Sequence, residues 1–461
     1  MLGAYTLTSS NIVEHLGVMR ASGLASVLYF YFDFNDIKKQ SRRALLSSLL
    51  VQLGAQPGPF CDILSRLYSS HDNGGRQPSD DRLMRCLGEM LSLEGQGTIY
   101  VIIDALDECG NTQSRPRVLR VLTDAATLAP WLKIIITSRP EDDIEKFFNA
   151  PSQLSYRSYD LVTDLEASAD LRTFAQRQFE LVAETLCLST PWPEKLLFDQ
   201  VISRANGLFI FIKTLVLALE KCEDPEKSLK ETVQGPASTG LESLYDLYST
   251  ILKARIVHSY AEFRRVIGVL LTTTPLCEET IAGLAGVRPD LAKKWVKDLS
   301  SLLYRDEGAN GAIRVRHLSI SDYFLSDHCD HQVKLQDANV QLGIACLKTM
   351  VDQLCFNICE LEDSRLANAE VKDLETRIEQ NISDALQYSS LYWSNHLCFT
   401  PDNRDERVWG SLKGLFEGLC PLFWIEVLSI MGMVPTGAPS LRRVISWAKV
   451  STALVRSRFG F

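Results

Sequence analysis

The residues best placed to do chemistry are three acids that follow one apolar run. In IYVIIDALDEC, residues 99–109, Asp104 closes the run, and Asp107 and Glu108 follow within a turn. Read as a strand, the run delivers Asp104 at its carboxyl end, where ligands of open α/β sheets bind. A carboxylate there can hold the Mg²⁺ of a nucleotide, usually through water. A neighbouring acid can then polarise the attacking water. The bland alternative is a buried strand followed by an acidic turn with no ligand.

The spacing is that of a Walker B strand with extra acids. One βα unit later comes LKIIITSRPE, residues 132–141, ending in Thr137, Ser138 and Arg139. Polar groups at that strand end can sense a γ-phosphate, and Pro140 stops the strand. A salt bridge is an equally good use of Arg139. The usual companion, G-x-x-x-x-G-K-[ST], whose amides and lysine cradle phosphates, occurs nowhere in the 461 residues. Gly74 and Gly75 precede Arg76, not Lys-Ser, and no strand precedes them.

These residues need a sheet to position them. VLYFYFDF (27–34), TIYVIID (98–104) and LKIIITS (132–138) are apolar at nearly every position. That pattern suits parallel strands covered on both faces. YRSYDLV, 156–162, is a candidate fourth strand. Helical spacing is expected over 6–20, over 38–53, around Leu83, Leu87 and Leu91, and near 116–129. Alternating strands and helices imply an α/β fold with a mostly parallel sheet. Beyond about residue 165 helices take over, over 166–188, 194–220 and 241–256. Three short helices (261–270, 277–284, 289–300) then precede two strands, SLLYRDEG and AIRVRHLS, an order that suggests a winged helix. More helices follow through 333–395 and 401–461, with no fixed-period repeat.

Composition sets the outer bounds. The 461 residues suit about three domains. With 46% apolar and 23% charged residues, the chain has the makings of hydrophobic cores. A formal charge of −9 disfavours a general nucleic-acid binder. The twelve cysteines include no CxxC pair, which argues against a structural zinc site and for free thiols in a reducing compartment. No secretory signal is evident, and GLFIFIKTLVLAL, interrupted by Lys213, is too short to span a bilayer. From these features a cytoplasmic protein without a membrane role is expected.

In combination the motifs resemble the fungal NACHT-type STAND NTPases, the nephrocystin-3-like N-terminal domain proteins. The matching stretches are TLTSSNIVEHL, YFYFDFND with KKQ, IYVIIDALDEC, LKIIITSRPE, ANGLFIFIKTLVLALE, RVRHLSISDYFLS and LQYSSLYWSNHL, spread over about residues 3–400. The resemblance implies a parallel-sheet NTPase core at 1–164, a helical lid at 165–255, a winged helix at 256–330 and a mainly helical region at 331–461. It implies a regulated switch that takes ATP or GTP with Mg²⁺ and associates with itself or with protein partners. Carried over residue by residue, Asp104 is the metal-associated acid, and Asp107 and Glu108 are the catalytic pair, with Glu108 as water activator. Arg139 is the sensor-like arginine. His317 is the winged-helix histidine that approaches the phosphates, unless it serves at a strand edge or interface.

The departure lies at the start. Gly3-Ala4-Tyr5-Thr6 aligns with the last positions of the phosphate loop, with Tyr5 near where the family has Lys-Ser or Lys-Thr. Only Met1–Tyr5 precede the first expected helix. The family's first strand, internal to its sheet, then has no counterpart, and an incomplete sheet with weak or absent nucleotide binding is expected. Whether such a chain is an enzyme stays open. The alternatives are a non-catalytic scaffold that keeps the lid and winged helix, and, less favoured, DNA binding through Lys293, Lys294, Arg314 and Arg316. Four positive charges are few against a net −9.

Overall fold

The computed structural model describes residues 26–34, 39–56, 58–69, 78–93, 97–110, 114–150, 156–159, 165–234, 238, 240–363, 365–399 and 405–459. The expected helix over 6–20 and the Gly3–Thr6 segment lie outside these residues. The chain divides into two compact units, Met1–Leu247 and Tyr248–Phe461.

In the first unit, β1 (Ser26–Tyr31), β2 (Ile99–Asp104) and β3 (Leu132–Ile136) form a parallel sheet in the order β1-β2-β3. Leu28 faces Val101, which faces Ile134. The period of two sends Leu28, Phe30, Val101 and Ile103 to one face and Val27 and Ile102 to the other. Helices α1 (Arg42–Gly54), α2 (Pro59–Ser69), α3 (Asp80–Leu91), α4 (Arg115–Leu128) and α5 (Asp142–Asn149) belong to this unit. The large core joins the first face to Leu45, Leu46, Leu49 and Leu50 of α1, Leu83 and Leu87 of α3, and Val118, Leu119 and Leu122 of α4. Each such side chain contributes about 1.5–3 kcal/mol of burial. On the other face Val27 and Ile102 pack with Tyr100 and Ile135. Ser41 caps α1 by accepting from the Ala44 amide. Asp80, at the start of α3, binds Arg42 at 2.9 Å and Arg43 at 3.0 Å, tying α3 to α1.

The candidate fourth strand is corrected in part. Residues 156–159 form no ladder, and 160–162 lie outside the described residues. Tyr156 and Tyr159 are exposed, so this stretch has no apolar face to pair over a core. Two helices in the sheet unit, α2 and α5, were not anticipated from the pattern.

Helices α6 (Leu165–Thr185), α7 (Lys195–Ala205), α8 (Phe209–Leu219) and α9 (Pro225–Gln234) follow, and the boundary between units falls within α10 (Leu241–Arg255). The helix expected across 194–220 is two. Asn206 and Gly207 adopt φ of 43° and 84°, ending α7 in the left-handed conformation that commonly closes helices.

The second unit starts at Tyr248 within α10 and continues with α11 (Tyr260–Thr272), α12 (Glu278–Ala285) and α13 (Pro289–Asp298). Then come two short antiparallel strands, β4 (Leu303–Asp306) and β5 (Ala312–Val315), with Leu303 opposite Val315. α14 (Leu318–Leu325) follows, then α15 (Leu335–Gln353), α16 (Leu374–Asn381), α17 (Asp384–Leu397), α18 (Glu406–Phe416), α19 (Cys420–Ile430) and α20 (Gly437–Phe459). α15 and α17 pack closely at Gly343, where an added Cβ would stand 2.6 Å from Leu397 Cδ2. Beside that contact lies a buried polar chain: Tyr388 Oη is 2.7 Å from His396 Nε2, and His396 Nδ1 is 2.8 Å from Asn339 Oδ1. Asn339 spends its amide on the Leu335 carbonyl, so its oxygen must accept and His396 Nδ1 must carry the proton.

Candidate functional site

The site of the first unit is built where β2 and β3 end side by side. The ladder continues past the strands: the Thr137 amide donates to the Ile103 carbonyl at 2.9 Å, and the Leu106 amide donates to the Thr137 carbonyl at 3.0 Å. Ala105 turns the chain sharply with φ of 53°, and Leu106–Glu108 form a single 3-10 turn. That turn carries the acids back across the strand ends.

Asp104 is 2% exposed, and its Oδ1 accepts a short hydrogen bond from the Thr137 hydroxyl. The same hydroxyl oxygen accepts from the Ala105 amide at 3.2 Å. Thr137 therefore fixes both the carboxylate and the start of the turn.

Asp107 is buried and belongs to Arg139. Its Oδ1 accepts from the Arg139 amide at 3.1 Å and from Ser138 Oγ at 3.4 Å, while Oδ2 lies 3.2 Å from Arg139 Nε. Burial pushes the Asp107 carboxyl above its ordinary range, and the Arg139 guanidinium opposes that push. Glu108 turns the other way. Its Oε2 accepts from the Phe34 amide at 3.0 Å, in the segment after β1. Burial drives its pKa up to about 8, against the pull of the Phe34 amide and with help from the negative charges of Asp107 and Asp33. At neutral pH this side chain is mainly a neutral acid.

Beneath the turn is Arg115, which the motif pattern did not single out. It is 7% exposed. Its guanidinium lies 3.2 Å from Asp143 and 3.9 Å from Glu141, and it donates to the Asp107 carbonyl at 3.4 Å. One buried arginine thus joins the starts of α4 and α5 to the acidic turn. The available signal was an arginine at the first position of a helix in an apolar setting, which is weak by itself. Gly110, with φ of 50°, closes the turn where a Cβ would meet Ser114 Oγ at 2.4 Å.

Asp104, Asp107, Glu108 and Arg139 thus come together around one turn. His317 belongs to the second unit. It follows β5 and caps α14, with Nδ1 accepting from the Ser319 amide at 3.2 Å.

The donor set suits a hard cation in kind but not in number. Asp104 and Thr137 offer oxygens of the type Mg²⁺ takes. Among the described residues, however, no three of His, Cys, Asp or Glu converge on a point. Asp107 is committed to Arg139, and Glu108 to an amide. A cation here would have Asp104 as its protein ligand and would take the others from phosphates and water.

Comparison with known proteins agrees with this geometry at the level of family. Residues 5–139 match the family described as Nephrocystin 3, N-terminal. Over 479 residues the chain is 23% identical to Vegetative incompatibility protein HET-E-1 of Podospora anserina, covering 96% of this chain and 33% of that protein. The chain thus spans about a third of that relative's length. Among solved structures, the Walker-type ATPase PABY2304 of Pyrococcus abyssi aligns with 65% of this chain and 90% of its own, at 14% identity and a TM-score of 0.28. At that score the likeness carries no weight.

Proposed function

We propose that this chain, a member of the nephrocystin 3 N-terminal family of NACHT-like STAND NTPases, is the switch portion of a signalling protein whose acidic turn answers to a nucleotide. The observation that carries this is the clamp of Asp107 on Arg139 beside Asp104, at the carboxyl ends of adjacent parallel strands.

Each residue has a proposed role. Asp104, held by Thr137, is the acid for the cation that accompanies the phosphates. Such a cation would supply charge neutralisation on phosphate oxygens. Asp107 holds Arg139 in place, and Arg139 is the residue through which a terminal phosphate is felt. Glu108 is the acid that orients water. With a pKa near 8 it begins as a neutral acid and needs added positive charge nearby to become a base. His317, in the proposed winged helix formed by α11–α13, β4 and β5, is the second unit's own candidate for a phosphate contact.

The same observations favour a non-hydrolysing scaffold as the second reading. Glu108 is neutral at pH 7, Asp107 is already paired, and the 461 residues contain no G-x-x-x-x-G-K-[ST]. We therefore expect the polypeptide of these residues to bind nucleotide weakly and to act through protein partners or self-association. DNA binding finds less support. Arg314 pairs with Asp306 at 2.8 Å, Arg305 pairs with Glu278, and Arg316 lies over the Tyr304 ring while donating to the Ser300 carbonyl at 2.7 Å.

Among the described residues no helix is long and apolar enough to cross a membrane. All twelve cysteines are free thiols, which supports a reducing, cytoplasmic location.

Titration of the 461-residue polypeptide with fluorescent ATP and GTP, each with Mg²⁺, tests the proposal. Weak binding that is lost in Asp104→Asn supports it. Saturable micromolar binding by the unmodified polypeptide would overturn the weak-binding part. Weak binding that is indifferent to Asp104→Asn and Arg139→Met would overturn the assigned site.

A further inference from the structure

The second unit holds a relay of three side chains that sets what His317 can offer. Tyr248, on α10, is fully buried, and its Oη lies 2.8 Å from Ser319 Oγ. Ser319, on α14, is 3% exposed, and its Oγ lies 2.6 Å from His317 Nδ1. The Ser319 amide also points at Nδ1, from 3.2 Å.

An amide N–H can only donate, so Nδ1 must present its lone pair. In the neutral ring the proton is then on Nε2. The 2.6 Å contact completes the direction of the relay. The hydroxyl hydrogen of Ser319 points to Nδ1, and its oxygen is left to accept from the buried Tyr248 hydroxyl.

The backbone explains why a histidine can do this. His317 has extended φ and ψ of −160° and 143° and stands at the N-cap of α14. There Nδ1 takes the place of the side-chain oxygen of a Ser, Asp or Asn cap. The cap fixes the ring at one edge, and the Ser319–Tyr248 pair fixes its rotation.

We propose that Tyr248 and Ser319 are positioning residues that hold His317 in the Nε2–H tautomer. The group His317 presents is therefore an N–H donor suited to an acceptor oxygen, such as that of a phosphoryl group. A ring held this way is neither a general base nor a metal ligand through Nε2, because both roles need a lone pair there. The choice of a phosphoryl oxygen rests on the switch function proposed above. The tautomer itself does not, and it is read in the nucleotide-free chain.

The experiment is ¹⁵N NMR of the histidine ring nitrogens in the full chain, with His317 assigned by its loss in His317→Asn. The exposed His258 serves as an internal reference for freely exchanging tautomers. The expected signature is a fully pyridine-like Nδ1 and pyrrole-like Nε2 for His317. Ser319→Ala and Tyr248→Phe should each move the His317 signals toward the averaged values of His258. A pyrrole-like Nδ1, or signals unmoved in both variants, would overturn the proposal.

Melting temperature checks the cap separately. His317→Asn keeps an acceptor at the capping position and should melt with the parent chain. His317→Leu should melt about 2–4 °C lower. Equal melting of the Leu variant and the parent would show that His317 does not cap α14, and would overturn the positioning.

Discussion

Arg139 grips Asp107 from two sides, with its amide 3.1 Å from Oδ1 and its Nε 3.2 Å from Oδ2. The residue expected to read a phosphate is thus bound to the residue expected to help attack it. The clamp joins the turn after β2 to the end of β3. Any ligand that draws Arg139 away must first replace what Asp107 gives it.

Asp107's side chain is 1% exposed, so removing its partner leaves a buried carboxyl with only part of its compensation. Arg139→Met should destabilise the first unit by about 3 kcal/mol. Adding Asp107→Asn to Arg139→Met should restore part of the loss, because the uncompensated charge disappears. A urea double-mutant cycle measures the coupling, and additive losses would show that the two side chains act independently.

Glu108 supplies a pH prediction. Its folded pKa is about 8, against an ordinary value of 4.5. Between those values the unfolded chain has lost the proton and the folded chain has kept it. Stability must therefore fall as pH rises through this window, by on the order of 1 kcal/mol per unit. Glu108→Gln cannot lose a proton and should gain on the parent chain from pH 5 to pH 8. Urea midpoints at several pH values test this, and parallel curves for the two proteins would refute it.

The opposite sign applies to His396. Burial lowers its pKa from 6.5 to about 4. Below pH 6.5 the unfolded chain takes up a proton that the folded chain refuses until about pH 4. Stability should drop as pH falls through this range, again by on the order of 1 kcal/mol per unit. His396→Gln should flatten that acid limb while costing some stability at pH 7. An unchanged acid limb in the variant would assign the loss to other groups.

Two glycines on helices of the second unit should respond in opposite directions. At Gly343 an added Cβ would stand 2.6 Å from Leu397 Cδ2 and 3.2 Å from its backbone nitrogen. Gly343→Ala should cost about 1–3 kcal/mol by pushing α15 off α17. Gly410, on α18, has nothing within 4 Å of its Cβ position. Gly410→Ala should be neutral or stabilise by up to about 1 kcal/mol through helix propensity alone. Thermal melts of the two variants decide it, and equal shifts would contradict the packing at Gly343.

The parts of this fold that announce themselves in the sequence are those with strong local patterns. β1, β2 and β3 are apolar on both faces; β2 and β3 fall inside their expected runs, and β1 starts one residue before its own, at Ser26. The order of α11, α12 and α13 before β4 and β5 follows the expected helices and strands closely. YRSYDLV failed as a strand over its described residues because tyrosines satisfy a propensity without supplying a buried face. The break at Asn206-Gly207 was hidden because apolar residues run past it, although Asn-Gly is itself a stop signal.

Within the site, the three acids and Arg139 were legible as neighbours, but their pairing was not. Spacing places Asp107 and Glu108 on one short turn, yet it cannot show that one points to Arg139 and the other to the Phe34 amide. Those directions come from the sharp backbone turn at Ala105. Arg115 was missed because its partners, Asp143 and the Asp107 carbonyl, meet it only after α4 and α5 have packed. Long-range charge pairing of this kind leaves no periodic trace.

The contact between Glu108 and the Phe34 amide has a consequence for any signal carried by this turn. A carboxylate and a carboxylic acid can each accept that hydrogen bond, since the proton can reside on the other oxygen. The latch between the segment after β1 and the acidic turn therefore survives titration of Glu108. What changes is the field at the strand ends, while the backbone stays where it was.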